Sequence, residues 1–388
     1  MGGVHMSKFF SFNLIAIPLF FVLVIGGCGA TLSSIEKQQN IEFKVNNPDA
    51  SYFDVHIRSK FLQKPDNKVL WHAKTFKFDC SSFENPDPID YRLVMPAFYE
   101  NRSGWEKANA PLKKFERYVT ELAELYVTTA NNSYAKCLTE VLSEWAEKDS
   151  LLSFDYLGNN KQAWYAIEWT TTSVAMAYSI IKDNPSIKSE IKHKIEIWLK
   201  KVAKKQTSLP GGPTSCCNNH SYWRGLEATI VGVVTNDNNL FRFGIEKYIS
   251  AINSMNKNGS FPLEMARGRY AIHYQNFAIW PLVYIAEIAA RQGYDLYSLN
   301  IDGKDLHLAI NFLMRCIEDN DIVKRYTKSI QDTSFTRRRE DKDVNWMEPY
   351  NRRFKNKDIE TFLNGKRPIH SRWGGGNSTL YFYSPEIK

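Results

Sequence analysis

From Leu112 to Glu318, apolar residues return at helical spacing in one segment after another, and strand-type alternation is scarce, which restricts the chain to a mostly helical fold. After Asn109-Ala110-Pro111, residues Leu112, Phe115, Val119, Leu122 and Tyr126 share one helical face, and Leu138, Leu142 and Trp145 mark a second helix. Asn184-Pro185 reads as an N-cap followed by proline at the first helical position, with Ile187, Ile191, Ile195, Trp198 and Val202 continuing an amphipathic helix. Its Lys-rich opposite face reads as solvated surface. Further helices are expected at about 160–182, 221–235, 239–256, 272–292 and 303–318. So many successive antiparallel helices cannot share one four-helix core, whereas a ring of helical hairpins accommodates them. The expected fold is an all-α toroid, with a superhelical solenoid as the alternative, weakened because no repeat of fixed period is visible.

A composition of 24% charged and 43% hydrophobic residues excludes a disordered or collagen-like chain. The net charge of +8 is a mild field that favours a polyanionic partner without implying nucleic acid. Phe9 to Ile25 form an apolar run behind Lys8 that ends in Ile25-Gly26-Gly27-Cys28, a secretory signal. Its end resembles the lipobox of bacterial lipoproteins, in which Cys28 is lipidated; cleavage after Ala30 is the competing reading. The run is shorter than the ~20 residues a membrane span needs. The expected organisation is a signal at 1–28, an irregular arm at 29–79 carrying turn signals such as Lys64-Pro65-Asp66-Asn67, and one catalytic domain at 80–388. Export places Cys80, Cys137, Cys216, Cys217 and Cys316 where oxidation is open to them, and an odd count leaves one thiol spare. No Cys or His spacing suits a metal.

Arg337-Arg338-Arg339 runs straight into Glu340-Asp341 and reads as a solvated loop, and Gly374-Gly375-Gly376 lacks the residues of a phosphate loop and reads as a turn. Two segments are richer in functional side chains. Cys216-Cys217-Asn218-Asn219-His220-Ser221-Tyr222-Trp223 opens a helix with an amide, an imidazole and two stacking rings, although an N-cap Asn with a core His and Trp is the plainer reading. In the segment from Gly259 to Phe277, a continuous helix would put Arg267 and Tyr274 two turns apart on one face, with Glu264 placed to hold the guanidinium. The plainer reading is a Tyr stripe in the core with Arg267 paired to Glu264. Together the segments suit removal of the C5 proton of a uronic acid. Arg267, protonated His220 and the Asn219 amide would neutralise the carboxylate, and a Tyr274 phenol pulled toward phenolate by those cations would take the proton and return it to the departing oxygen. No metal or organic cofactor is required.

These segments resemble the family 5 polysaccharide lyases, the alginate lyases that act on poly(β-D-mannuronate). Leu142-Ser143-Glu144-Trp145-Ala146, Trp346-Met347-Glu348-Pro349 and the stretch from Arg367-Pro368 to Leu380-Tyr381 resemble family stretches in the same order, over roughly residues 80 to 382. The resemblance implies an incomplete (α/α) toroid and an endo-acting β-eliminative enzyme, working as a monomer on alginate in the periplasm or, lipid-anchored, on an outer-membrane leaflet. It also implies Asn219, His220, Arg267 and Tyr274 as catalytic residues, Tyr99 on a mobile lid, a Cys80–Cys137 disulfide and bonded Cys216–Cys217, with Cys316 spare. Arg102, Trp164, Tyr222, Trp223, Glu264 and Arg372 are the further candidates for substrate binding. Phe98 departs from the basic residue expected before the lid tyrosine, with Arg102 nearby as a stand-in, and the arm before Cys80 is long enough to serve as a tether. Two other functions compete: a hydrolase using Glu264 and Glu348, and a non-catalytic polyuronate-binding lipoprotein.

Overall fold

The structure is a computed structural model, and the residues it describes are 30–64, 85–156, 161–213, 215–337 and 343–384. The helices are α1 (Leu32–Gln39), α2 (Val55–Leu62), α3 (Arg102–Thr129), α4 (Asn132–Glu147), α5 (Gln162–Ile181), α6 (Ser189–Ser208), α7 (Asn219–Val234), α8 (Asn238–Ser254), α9 (Pro262–Met265), α10 (Ala271–Arg291), α11 (Leu306–Glu318), α12 (Met347–Phe354), α13 (Lys357–Leu363) and α14 (Ser378–Phe382). Among the described residues the only sheet is the antiparallel pair β1 (His370–Ser371) and β2 (Gly376–Asn377).

Two kinds of helix alternate along the chain. In α5 every residue but the first of twenty is buried, and in α7 every residue but His220. Helix α6, of equal length to α5, buries only six residues. A helix that is apolar all round belongs inside, and one with a single apolar stripe belongs outside. The contacts follow that rule: α3, α5, α7 and α10 pack side by side in sequence as the inner row, and α4, α6, α8 and α11 lie outside them. The result is an incomplete (α/α) toroid.

The helix boundaries differ from the sequence reading at three places. Helix α3 begins at Arg102 and takes Pro111 into its interior. Asn184 caps a turn, accepting from the Ser186 amide at 2.9 Å, and α6 starts only at Ser189. The segment from Gly259 to Phe277 is broken, because Gly268 takes φ +59° between α9 and a single 3-10 turn before α10. The expected Gly374-Gly375-Gly376 turn joins β1 to β2; Gly375 sits at φ +78° against Tyr52, leaving no room for a Cβ.

The expected irregular arm contains α1, with a Thr31/Ser34 capping box, and α2, capped by Asp54. Both are docked. Glu36 pairs with Arg242 of α8, Phe53 stacks on Tyr381 at 4.7 Å, and Arg58 donates to the carbonyls of Thr379 and Tyr383. Residues 30–64 are therefore part of the folded body rather than a free tether. Cys28, Cys80, Arg338 and Arg339 lie outside the described residues. No helix among the described residues is long and apolar enough to cross a membrane.

Candidate active site

A cleft of about 470 Å³ opens where the inner helices α5, α7 and α10 present their ends, roofed by the segment from Phe98 to Trp105. Asn218 caps α7 through its side chain, accepting from the His220 amide at 3.1 Å. That cap aims the first turn of α7 at the cleft. His220, the one residue of α7 that is only half-buried, has its Nδ1 enclosed and stacks on Tyr165 of α5 at 3.6 Å. Opposite it, the break at Gly268 swings Arg267 back over the start of α10, placing its guanidinium carbon 3.9 Å from the centre of the Tyr274 ring. The two residues do converge, across a break between two helices rather than along one continuous helical face. The Tyr99 and Tyr274 hydroxyls are 2.5 Å apart, closing the cleft from the lid side.

The protonation states differ from those expected. Burial, with the Arg267 and Arg224 cations adding to it, holds the His220 imidazole down to about 3, so the ring is neutral rather than protonated. Burial pushes the Tyr274 phenol above its ordinary value, with Tyr99 reinforcing it and Arg267 opposing, so the resting side chain is a phenol and not a phenolate. Glu264 is fully buried; its carboxylate holds Asn219, and it meets Arg267 by its backbone carbonyl, which accepts the Arg267 N–H at 3.0 Å. Its carboxylate accepts the Asn219 backbone N–H at 2.7 Å and the side-chain Nδ2 at 3.1 and 3.0 Å. Burial lifts its carboxyl to about 7, despite those donors and the Arg267 charge.

The family model for alginate lyases matches residues 71–323. The chain belongs to the alginate lyase family. An alginate lyase of Azotobacter vinelandii is 30% identical over 68% of this chain and 74% of its own length, and one of Pseudomonas syringae pv. syringae is 28% identical over 80% of this chain and 84% of its own. A polysaccharide lyase of Stenotrophomonas maltophilia is 33% identical over 53% of this chain, a stretch that spans 61% of that relative's length. Among solved structures, a histidine-to-alanine variant of alginate lyase A1-III complexed with a tetrasaccharide superposes with a TM-score of 0.82 at 37% identity, covering 88% of this chain and 98% of that one. A1-III comes from Sphingomonas species A1. An alginate lyase of Bacteroides ovatus, 16% identical with a TM-score of 0.62, shares the fold. This family member therefore has a polysaccharide lyase function directed at alginate.

Not every candidate residue reaches the family's cleft. Arg102 and Tyr99 line its mouth, Arg102 pairing with Glu106 at 2.9 Å and lying over the Phe98 ring. Trp164 is buried behind the wall, with the Arg224 guanidinium 3.8 Å from its ring. Tyr222 is enclosed and bonded to Ser254, and Trp223 is wedged against Phe277 and Trp280, both at 5.1 Å. None of these three rings can stack on a sugar. Arg372 is buried and paired with Glu116, which also receives the Trp373 indole N–H at 3.2 Å, so it fixes Trp373 instead of meeting substrate. Asn219 is buried between the two cleft residues Asn218 and His220. Cys216 and Cys217 are bonded to each other, Cys137 is disulfide-bonded, and Cys316 is free and buried.

The aromatic lining of the cleft comes largely from residues outside the candidate set: Tyr165, Trp169, Tyr270, His273, Phe277 and Trp373. Tyr270, Tyr274 and Phe277 follow the three-to-four spacing of one helical stripe. That stripe was visible in the sequence but is equally the pattern of a core.

Proposed function

We propose that this chain cleaves poly(β-D-mannuronate) by β-elimination, with Tyr274 as the base that takes the C5 proton and the acid that returns it to the departing C4 oxygen. The observation that carries the reading is the Tyr274 ring lying beneath the Arg267 guanidinium with its hydroxyl against that of Tyr99. As the C5–H bond breaks, its electrons form the C4–C5 double bond and the C4–O bond to the leaving sugar breaks. One phenol on one face of the ring suits a polymer whose C5 hydrogen and C4 oxygen lie on the same side, as they do in β-D-mannuronate. Arg267 balances the uronate carboxylate, and the neutral His220 imidazole offers it a hydrogen bond without adding charge. Tyr99, 60% exposed, connects the Tyr274 hydroxyl to solvent, so the phenol can lose its proton along that bond before turnover.

A hydrolase is disfavoured by the placement of its two carboxylates. Glu348 is buried and receives Arg367 at 2.9 Å and Thr379 at 2.6 Å, Glu264 is committed to Asn219, and neither lines the cleft. The secretory signal at 1–28 would place the activity outside the cytoplasm, where alginate is met. The test is incubation of purified protein with polymannuronate, polyguluronate and mixed blocks while following ultraviolet absorbance. Absorbance rising fastest on polymannuronate is expected. Shortened chains without absorbance would mean hydrolysis, and a faster rise on polyguluronate would overturn the preference.

A further inference from the structure

Charge counting around the cleft leaves a difficulty for any carboxylate ligand. Arg267 is the cation at the reacting tyrosine, and Glu264, three residues earlier, already acts on it electrostatically. Arg224 is paired with Glu168 at 2.8 Å, Arg372 with Glu116, and Arg102 with Glu106. His220 is neutral. A uronate arriving at this site would therefore find the other guanidiniums paired and the Arg267 charge partly offset by Glu264.

Asn219 poses the same difficulty in hydrogen bonds. Its backbone N–H and one proton of Nδ2, shared between the two carboxylate oxygens, are directed to Glu264, while its Oδ1 is buried with no partner among the described residues. An acceptor cannot bind a carboxylate, and a buried acceptor without a donor is itself unfavourable. The side-chain amide has a second position, turned by half a revolution, in which oxygen and nitrogen exchange places with almost no movement of heavy atoms. In that position Oδ1 faces Glu264, and the contact is attractive only if Glu264 carries a proton to donate.

We propose that Glu264 and the Asn219 amide form a proton-coupled latch: as a uronate carboxylate enters, Glu264 takes one proton from solvent, the amide turns over, and Nδ2 is freed to donate where Oδ1 now lies. This deepens the mannuronate lyase reading and rests on it. The balance closes. One proton enters, Glu264 goes from carboxylate to carboxylic acid, its new O–H donates to Asn219 Oδ1, its other oxygen keeps the backbone N–H, and the charge of Arg267 is left to the sugar. Glu264 is a positioning residue in this scheme, acting through Asn219. The titratable groups facing it are Arg267 on its own segment and Tyr222 across from α7, whose phenol burial keeps protonated; α10, packed on α9, contributes the neutral Gln275 beside Phe261. The lift of the Glu264 carboxyl to about 7 places its titration where this exchange can operate.

The sign follows from linkage. Binding that requires protonated Glu264 weakens as pH rises through about 7, and proton uptake accompanies binding above that point. The experiment is calorimetric titration of an oligomannuronate into Tyr274→Phe protein at pH 7.5–8, in buffers of different ionisation heat. Uptake of about one proton per chain is expected with Glu264 present and about none in the added background of Glu264→Gln, whose amide N–H supplies the donor without a proton. In the protein with Tyr274 intact, KM should rise by up to ~10-fold per pH unit above neutrality, and Glu264→Gln should flatten that slope. Circular dichroism checks that the Gln protein is folded, and if it is not, the proton count on the Glu264 protein decides alone. Binding without proton uptake, or uptake that persists in Glu264→Gln, overturns the latch while leaving the lyase reading standing. Absence of unsaturated product from the unaltered enzyme overturns both.

Discussion

The two walls of the cleft hold their functional groups in opposite ways. On the α7 wall, His220 is set by the Asn218 cap, by its stack on Tyr165 and, one turn deeper, by the Arg224–Glu168 pair joining α7 to α5. Glu168 follows Tyr165 by three residues and Arg224 follows His220 by four, so the ion pair lies directly beneath the stack. On the lid wall, Tyr99 is 60% exposed and reaches Tyr274 through one hydrogen bond, with its ring tilted against Tyr270 at 5.9 Å. One wall is held by buried contacts, and the other by the exposed Tyr99 and the Phe98–Trp105 ring contact. An enzyme on a long polymer needs both, since fixed donors lower the barrier and a movable roof admits the chain.

The sharpest way to break the comparison is to remove the anchor beneath the fixed wall. Arg224→Met leaves Glu168 buried without its partner and should cost about 3–5 kcal/mol of stability, measured by denaturant unfolding at pH 8. Glu168, already lifted to about 7, can accept a proton when its partner is gone, so the loss should shrink as pH falls below neutrality. The double change Arg224→Met with Glu168→Leu should recover most of it. If the single variant is as stable as the parent at pH 8, the pair is not the anchor.

Next in size is Tyr274→Phe, which should reduce kcat by ~100-fold or more while oligosaccharide binding is kept, because the ring remains under Arg267 and only the hydroxyl is lost. Retention of more than about a tenth of the rate would move the proton acceptor to His220. Tyr99→Phe should cost less, about 10-fold in kcat, since it removes the route of the Tyr274 proton to solvent without removing the base. Equal losses for the two tyrosines would mean that the lid residue is itself the proton acceptor. The smallest expected effect concerns His220. With its imidazole held down to about 3, it should show no titration between pH 5 and 8 by NMR, and no inflection in kcat/KM assignable to it. A midpoint near the ordinary histidine value would return the imidazolium to the carboxylate site.

How much of this was legible beforehand varied with the kind of information each residue carries. The helices were legible because period is a property of neighbouring residues, and the amphipathic α6 and the uniformly apolar α5 differ in the sequence itself. In α5, however, Trp164 and Trp169 stand in the same apolar context, one buried under Arg224 and the other lining the cleft. A helix with no polar face carries no mark of which side meets solvent. The helix break at Gly268 was likewise hidden, since glycine permits a left-handed φ without requiring it.

Sequence by itself determined the helical succession, the family and the residue types gathered at Asn219, His220, Arg267 and Tyr274, because these depend on local spacing and on motifs read in order. Tertiary structure decided the protonation of His220, Tyr274 and the Glu264 carboxyl beside Asn219. A phenol, an imidazole and a carboxyl take their protonation from burial and from ions brought close by distant segments. Tyr274 meets Tyr99 across 175 positions of chain, and Glu264 meets Asn219 across 45. Arg372 loses its availability to Glu116 over 256 positions, and no window of sequence spans that separation.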